Sequence, residues 1–352
     1  MLQRIYGTAF FDKKELKRHL NRIAEAKKRD HRKLGRELQL FTVSEKGDLH
    51  HDAEGRAFFE EVGQGLVLWL PRGAKVRSVI EDFWRAMHRR NGYDLIYTPH
   101  IAKSDLWRIS GHLGFYSESM YSAISVDDEE YILKPMNCPF HVMTYKHAPH
   151  SYRDLPVRYA ELGTVYRYEL AGALHGLMRV RGFTQDDAHL ICTPDHLDDE
   201  LSTVLKFTLA YLRAFDFTDF EVMLSTRPAK YVGEPALWDR AEESLRQSIA
   251  AADLEYGVDE GGGAFYGPKI DVKIKDALGR TWQCSTIQLD FNLPRRFNMS
   301  FTNSAGEKEA PILVHRAVMG SLERFFGILI EHYAGDFPLW MAPEQVRILT
   351  VS

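Results

Sequence analysis

Arg179, Arg181, Phe183, Gln185, Asp187 and His189 alternate along RVRGFTQDDAH, and a two-residue period puts all six on one face of a strand. Two cations, a carboxylate, an amide, an imidazole and an aromatic ring do not make a core, because an unpaired buried charge is strongly destabilising. A ligand is the expected partner; a solvated sheet face is the alternative. A second charged pair, Arg167 and Glu169, lies just upstream among Val165, Tyr166 and Tyr168. The connection 171–180 carries two glycines and reads as a mobile loop between antiparallel strands. Arg324 follows Gly320-Ser321 near the start of a helix, where the dipole favours anions. A cation there fits best as a clamp on an anionic ligand.

Cys138, His189 and His315 form a second set. Three ligands of Cys and His type with a fourth position open have the composition of a catalytic or substrate-binding zinc site. Cys138 sits in KPMNCP between prolines, on a rigid turn that suits a fixed ligand, although a lone cysteine also serves as a small core residue. Cys138 and His141 have a C-x-x-H spacing too common to be diagnostic.

Positioning these groups requires helices and strands in a mixed order. Leu16, Leu20, Ile23 and Ala24 recur at helical spacing and predict a helical arm with a narrow buried stripe. Val76, Ile80, Phe83, Trp84 and Met87 give an amphipathic helix that Asn91-Gly92 stops, followed by a strand over 93–98 that Pro99 ends. The segment 106–121 reads as a loop or short helix beside the site. Leu201, Val204, Leu205, Leu209 and Leu212 mark another helix begun by Pro194 and Asp195, with a strand and a further helix after it. IDVKIKD and TWQCSTIQLDF form a hairpin across residues 277–280. The glycine run at 261–263 lacks the G-K-[ST] ending and precedes a strand, which excludes a P-loop and leaves Lys269, after Gly-Pro, as the candidate there. Leu322, Phe325, Phe326, Leu329 and Ile330 predict the buried face of the last helix, and PEQVRILTVS reads as a first strand with no sheet to join.

A chain of 352 residues, 45% hydrophobic and 27% charged, has ample material for a large core. A net charge of −4 argues against a uniformly basic nucleic-acid coat, without excluding a local basic groove. Three cysteines and no signal peptide point to a reducing, cytoplasmic setting. No apolar run approaches the roughly 20 residues that a membrane span needs.

KPMNCP, YRYELAGALHGLMRVRGFTQDDAH and HRAVMGSLERFFGILIEH together resemble the catalytic domain of the threonyl-tRNA synthetases, a class II aminoacyl-tRNA synthetase family, and the likeness runs over nearly the whole chain. The resemblance implies an α/β (α+β) class II core, a mostly antiparallel sheet flanked by helices. It further implies activation of L-threonine by ATP to threonyl-adenylate, transfer to tRNA(Thr), one Zn2+ per chain, Mg2+ with ATP, and a homodimer formed through residues 74–99, the region similar to motif 1. Arg167 and Glu169 fall in motif 2, and Gly320 and Arg324 in motif 3. By the same resemblance Arg167 holds the α-phosphate, Glu169 reads the adenine amino group, Phe183 and Arg324 sandwich the adenine, and Arg179 holds the distal phosphates. Cys138, His189 and His315 match the zinc ligands, which bind threonine through its amine and hydroxyl. Asp187 accepts from the threonine hydroxyl, Gln185 and Tyr266 place the amino-acid backbone, and Met136, Lys269 and Gln288 complete the substrate wall. Gln283 and Thr286 join the ATP side. Strict alternation separates Gln283 from Thr286 and Gln288, so a shared role requires a bulge. His112, in SGHL, matches the histidine implicated in transfer to the tRNA ribose.

The resemblance implies a helical arm over 1–50, the catalytic domain over 51–340 and the start of an anticodon-binding domain over 341–352. An editing region and a complete anticodon-binding domain fall outside what it covers, so uncorrected serine activation and weak tRNA binding are expected. Two other readings stay open. One is an adenylate-forming enzyme that loads a carrier, which tRNA charging separates; the other is a binding module without catalysis, which ATP turnover separates.

Overall fold

The computed structural model describes residues 7–44, 50–51, 54, 57–58 and 62–350. Ten helices lie among them: α1 (Lys13–Lys28), α2 (His31–Glu37), α3 (Pro71–Arg90), α4 (Ser104–Ser110), α5 (His112–Phe115), α6 (Cys138–Tyr145), α7 (Leu197–Arg213), α8 (Pro235–Ala251), α9 (Asn292–Arg296) and α10 (Leu322–His332). The principal sheet has eight strands: β1 (Asp94–Leu95), β2 (Val157–Tyr166), β3 (Gly182–Cys192), β4 (Phe220–Ser225), β5 (Tyr256–Asp259), β6 (Lys269–Lys275), β7 (Thr281–Asp290) and β8 (Ile312–Ala317). Their order is β5-β4-β6-β7-β8-β3-β2-β1, antiparallel from β4 to β2 and parallel only at the two ends. The mostly antiparallel sheet flanked by helices is therefore present.

Alternation divides the sheet into two faces. Ala188, Leu190 and Cys192 of β3, Val314 of β8 and Ile287 and Leu289 of β7 enter a core with the apolar stripes of α3, α7 and α10. Each stripe follows from spacing: Val76, Ile80 and Trp84 recur every fourth residue of α3, and all three are buried. Pro71 opens that helix, and Gly92, at φ 74°, turns the chain out of it. The odd-numbered face of β3 carries Gln185, Asp187 and His189 instead. One end of that face is sealed by a second cluster, in which Ile191 and Leu313 meet Val142 and Tyr145 of α6 and Leu293 of α9.

Several local expectations need correction. The apolar positions of α1 bury nothing, with Leu20 54% exposed, because none of the described elements packs over that stripe. Only Asp94–Leu95 pairs as a strand within 93–98, since β1 is an edge that β2 meets on one side. Cys138 does not sit on an isolated turn; it opens α6, with Pro139 in the first turn. Arg179 and Arg181 precede β3, which begins at Gly182, so the single strand face starts at Phe183. Residues 343–350 form no strand. The short apolar segment LQRIYGTAFF that opens the sequence has its first five residues, 2–6, outside the described residues.

Candidate active site

Four adjacent strands place a row of polar residues side by side: Lys269 pairs with Gln288, Gln288 with His315, and His315 with His189. Cys138 reaches the same point from the N-terminus of α6. One ligand atom from each of Cys138, His189 and His315 lies within 4.8 Å of the others, so residues 177 positions apart in sequence (315 − 138) meet at one point. His189 Nε2 stands 2.8 Å from His315 Nδ1, and His315 Nε2 donates to Asp290 Oδ2 at 3.0 Å. Burial, reinforced by His141, His315 and Arg316, holds the His189 imidazole well below its usual range, so it is neutral and able to ligate. Burial also pulls His315 down, but the Cys138 sulfur and the Asp290 carboxylate outweigh it and raise the ring to about 10. The Asp290 carboxylate thus favours positive charge at the His315 ring, while burial keeps the Cys138 thiol protonated until a metal displaces the proton. A soft thiol and two imidazoles, one of them backed by a carboxylate, fit a zinc ion.

Asp187 is buried beside this cluster and accepts from Asn137 Nδ2 at 3.1 Å. Gly163, opposite Gln185 on β2, makes room for that amide, since a Cβ there would lie 2.5 Å from the Asn137 side chain. Tyr266 Oη donates to Gln288 Oε1 at 3.1 Å, and Lys269 Nζ to Asp271 Oδ2 at 2.6 Å. Asp271 Oδ1 accepts from Thr286 Oγ1 at 2.7 Å, which fixes both expected ligand-wall residues on one carboxylate. His112, Met136, Cys138, Tyr266 and His315 line a small hollow of ≈ 20 Å³, about the size of a water molecule. His112 Nδ1 lies 2.7 Å from Ser110 Oγ and its Nε2 3.0 Å from Met136 Sδ. Burial, then the positive charge nearby, pulls that ring down to about 4, so it is neutral at pH 7.

The neighbouring cleft of ≈ 640 Å³ is lined by Arg167, Glu169, Arg179, Phe183, Gln185, Gln283, Thr286 and Arg324. Arg167 Nε donates to Pro135 O at 3.2 Å, next to Met136, so the two hollows share a wall. Its guanidinium also sits 5.2 Å over the Phe183 ring. Glu169 Oε2 accepts from Arg179 Nε at 2.9 Å. Ser321 caps α10, accepting from Arg324 N at 3.2 Å, which holds the arginine at the first turn facing the cleft. Among the described residues Gln185 Oε1 and Arg324 Nε are buried without a protein partner, the condition of groups that wait for a ligand.

The bulge required for Gln283 is present. Val272 pairs with Ser285 while Lys273 pairs with Gln283, which leaves Cys284 as the extra residue of β7 and turns Gln283 to the side of Thr286. The sequence reading missed Asp290, Asn137, His141, Glu161 and Asp271. Parity carried a signal for most of them: Asp290 shares the face of Gln288, Asp271 that of Lys269, and Glu161 that of Arg167. His141 carried the C-x-x-H spacing, but it faces His189 instead of the shared point.

Residues 121–333 match the tRNA synthetase class II core domain family (G, H, P, S and T). Over its full length the chain is 57% identical to a threonine–tRNA ligase of Magnetococcus marinus and 57% identical to threonine–tRNA ligase, chloroplastic/mitochondrial 2, of Arabidopsis thaliana, covering 52% of each. The chain thus spans about half the length of these curated relatives. Among solved structures, a crystal structure described as the RNA binding domain of threonyl-tRNA synthetase from Cryptosporidium parvum Iowa II superposes with a TM-score of 0.81 at 40% identity, over 90% of this chain and 75% of that one.

Proposed function

The chain belongs to the class II tRNA synthetases, in their threonyl-tRNA synthetase family, and from that premise we propose that it activates L-threonine with ATP and passes the threonyl group to tRNA(Thr). The observation that carries this reading is the junction of two hollows. A Cys/His/His donor set lies beside a cation-lined cleft large enough for ATP, and the buried, unpartnered Gln185 and Arg324 atoms lie on the cleft side.

In the activation step a threonine carboxylate oxygen attacks the α-phosphorus of ATP, and the bond to pyrophosphate breaks. The nucleophile is already ionised, so the site needs fixed positive charge more than a base. Arg167 is held for this by Pro135 O and Phe183, and it stabilises the charge on the α-phosphate. Arg179 and Arg324 take the remaining phosphate and base contacts, Phe183 and Arg324 stack on the adenine, and Glu169 reads its amino group. Mg2+ accompanies the phosphates. Cys138, His189 and His315 would hold Zn2+, whose chemistry when bound is to engage the amine and hydroxyl of threonine. Asp187 accepts from that hydroxyl, Gln185 and Tyr266 set the backbone groups, and Lys269, Met136 and Gln288 close the wall. In the transfer step the tRNA ribose hydroxyl attacks the carbonyl and AMP leaves; His112, neutral and beside Met136, takes the hydroxyl proton. Residues 74–99 make a homodimer.

The test is threonine-dependent ATP–pyrophosphate exchange before chelation, after it, and with zinc restored. Activity lost and regained is the expected result. Exchange indifferent to chelation would remove the metal assignment, and no exchange under any metal would favour a binding module.

A further inference from the structure

His315 meets a carboxylate at hydrogen-bond distance, that of Asp290, but His189 does not: Asp187 Oδ1 stands 3.8 Å from its Nδ1, beyond a hydrogen bond. His189 Nδ1 lies 2.9 Å from His141 Nδ1, and His141 Nε2 lies 3.2 Å from Glu161 Oε2. All three side chains are buried. If Nε2 of His189 carries the ligand lone pair, the proton must be on Nδ1, which then donates to His141 Nδ1. That leaves the His141 proton on Nε2, donating to Glu161. Under that premise only one arrangement of protons satisfies every atom of the chain, and in it the ligating nitrogen of His189 is the one beside Cys138 and His315.

Glu161 is itself fixed from the other side. Thr98 N donates to Oε1 at 2.8 Å and Thr98 Oγ1 to Oε2 at 2.9 Å. Lys134 Nζ, also buried, stands 3.7 Å from Oε1 and donates to Thr98 Oγ1 at 2.7 Å. A buried carboxylate with a cation and this many donors stays ionised and immobile, as the last acceptor of the chain requires.

We infer that His141 and Glu161 are positioning residues for the metal ligand His189: together they set its tautomer and ring orientation, and Thr98 and Lys134 anchor them to the segment that follows β1. The inference rests on the metal reading of Cys138, His189 and His315. It assigns His141 a place behind the ligand shell, where a direct carboxylate serves His315.

The experiment compares the full chain with His141→Phe, Glu161→Gln and Tyr145→Phe. Tyr145 is buried in the same helix, and its hydroxyl donates to Ser300 O, away from the chain. Zn2+ affinity is read by competition with a chromophoric chelator, and ligand geometry by the absorption of the Co2+-substituted protein. His141→Phe and Glu161→Gln are each expected to weaken Zn2+ binding by about 10–100-fold, the usual effect of losing such support. They should also shift the Co2+ bands and raise the threonine KM while leaving the ATP KM unchanged. Tyr145→Phe should leave all of these as they are. Glu161→Gln keeps the shape of the side chain, so it carries the test if His141→Phe does not fold. Wild-type Zn2+ affinity and Co2+ spectra in Glu161→Gln would overturn the inference while leaving the metal site standing. Failure of the unaltered chain to bind stoichiometric Zn2+ would overturn both.

Discussion

Arg167 is the residue whose removal should cost most for least structural change. It follows the last residue of β2, half-buried against Phe183 and Pro135 O, and no carboxylate among the described residues bonds it directly. A guanidinium placed where charge develops acts on the transition state more than on the bound substrates. Arg167→Ala should therefore lower threonine-dependent pyrophosphate exchange by about 10²–10³-fold with Zn2+ content unchanged; a change confined to KM would show a binding role only. At the other hollow, selectivity follows from which groups the donor set and Asp187 can engage. Valine lacks the hydroxyl and leaves Asp187 one hydrogen bond short, so its exchange rate should fall by about 10⁴. Serine keeps amine and hydroxyl and loses one methyl, a difference of only about 10–200-fold, so serine-dependent exchange should stand measurably above background. Exchange with serine no faster than with valine would contradict the arrangement.

At the scale of elements, the ATP side of the cleft depends on a close packing between the β7 bulge and the turn into α10. Gly320 takes φ 74°, and a Cβ there would stand 2.9 Å from Cys284 O, the carbonyl of the bulged residue. Its own carbonyl accepts from Asp186 N at 2.9 Å. Gly320→Ala should cost about 1–3 kcal/mol and move Ser321 and Arg324, raising the ATP KM more than the threonine KM. A second device ties α3 to β8. His88 Nδ1 donates to Trp84 O and its Nε2 accepts from Arg316 Nη2 at 2.7 Å, so a second proton on this ring has no place. Burial first and Arg316 second depress it from 6.5 to about 2. The folded pKa lies below the unfolded one, so this stability is complete above pH 6.5 and lost as pH falls towards 2. Urea unfolding should show stability declining by about 1.4 kcal/mol per pH unit below pH 6 from this group, and His88→Gln should flatten that slope by one proton. These pairings also explain what the sequence could reveal. Periodicity disclosed α3, α7 and α10, because one buried stripe per helix is a local property, and parity disclosed Gln185, Asp187 and His189 and the need for a bulge. Glu161, Asp290 and His141 escaped because their roles depend on which strands become neighbours, and β8 meets β3 only after more than a hundred intervening residues. The stripe of α1 misled for the converse reason: spacing states what could be buried, while burial needs a covering element.

For the whole molecule, the region 74–99 joins the outer surface to the site. Tyr97 is 81% exposed in the single chain, next to a hollow of ≈ 180 Å³ rimmed by Arg77, Glu81 and Arg85. One residue further on, Thr98 holds Glu161 through its N–H and its hydroxyl. A large aromatic side chain left in water beside paired charges is the composition of an interface centre with a polar rim. The expectation is a dimer, with mass twice 40.5 kDa by sedimentation, and Tyr97→Asp should shift it towards monomer. Because Thr98 shares that segment with Tyr97, loss of the partner should loosen the hold on Glu161, so exchange activity should fall with dilution in step with the dimer fraction. A wild-type chain that sediments as a monomer at full specific activity would remove the coupling and leave the 74–99 segment a free edge.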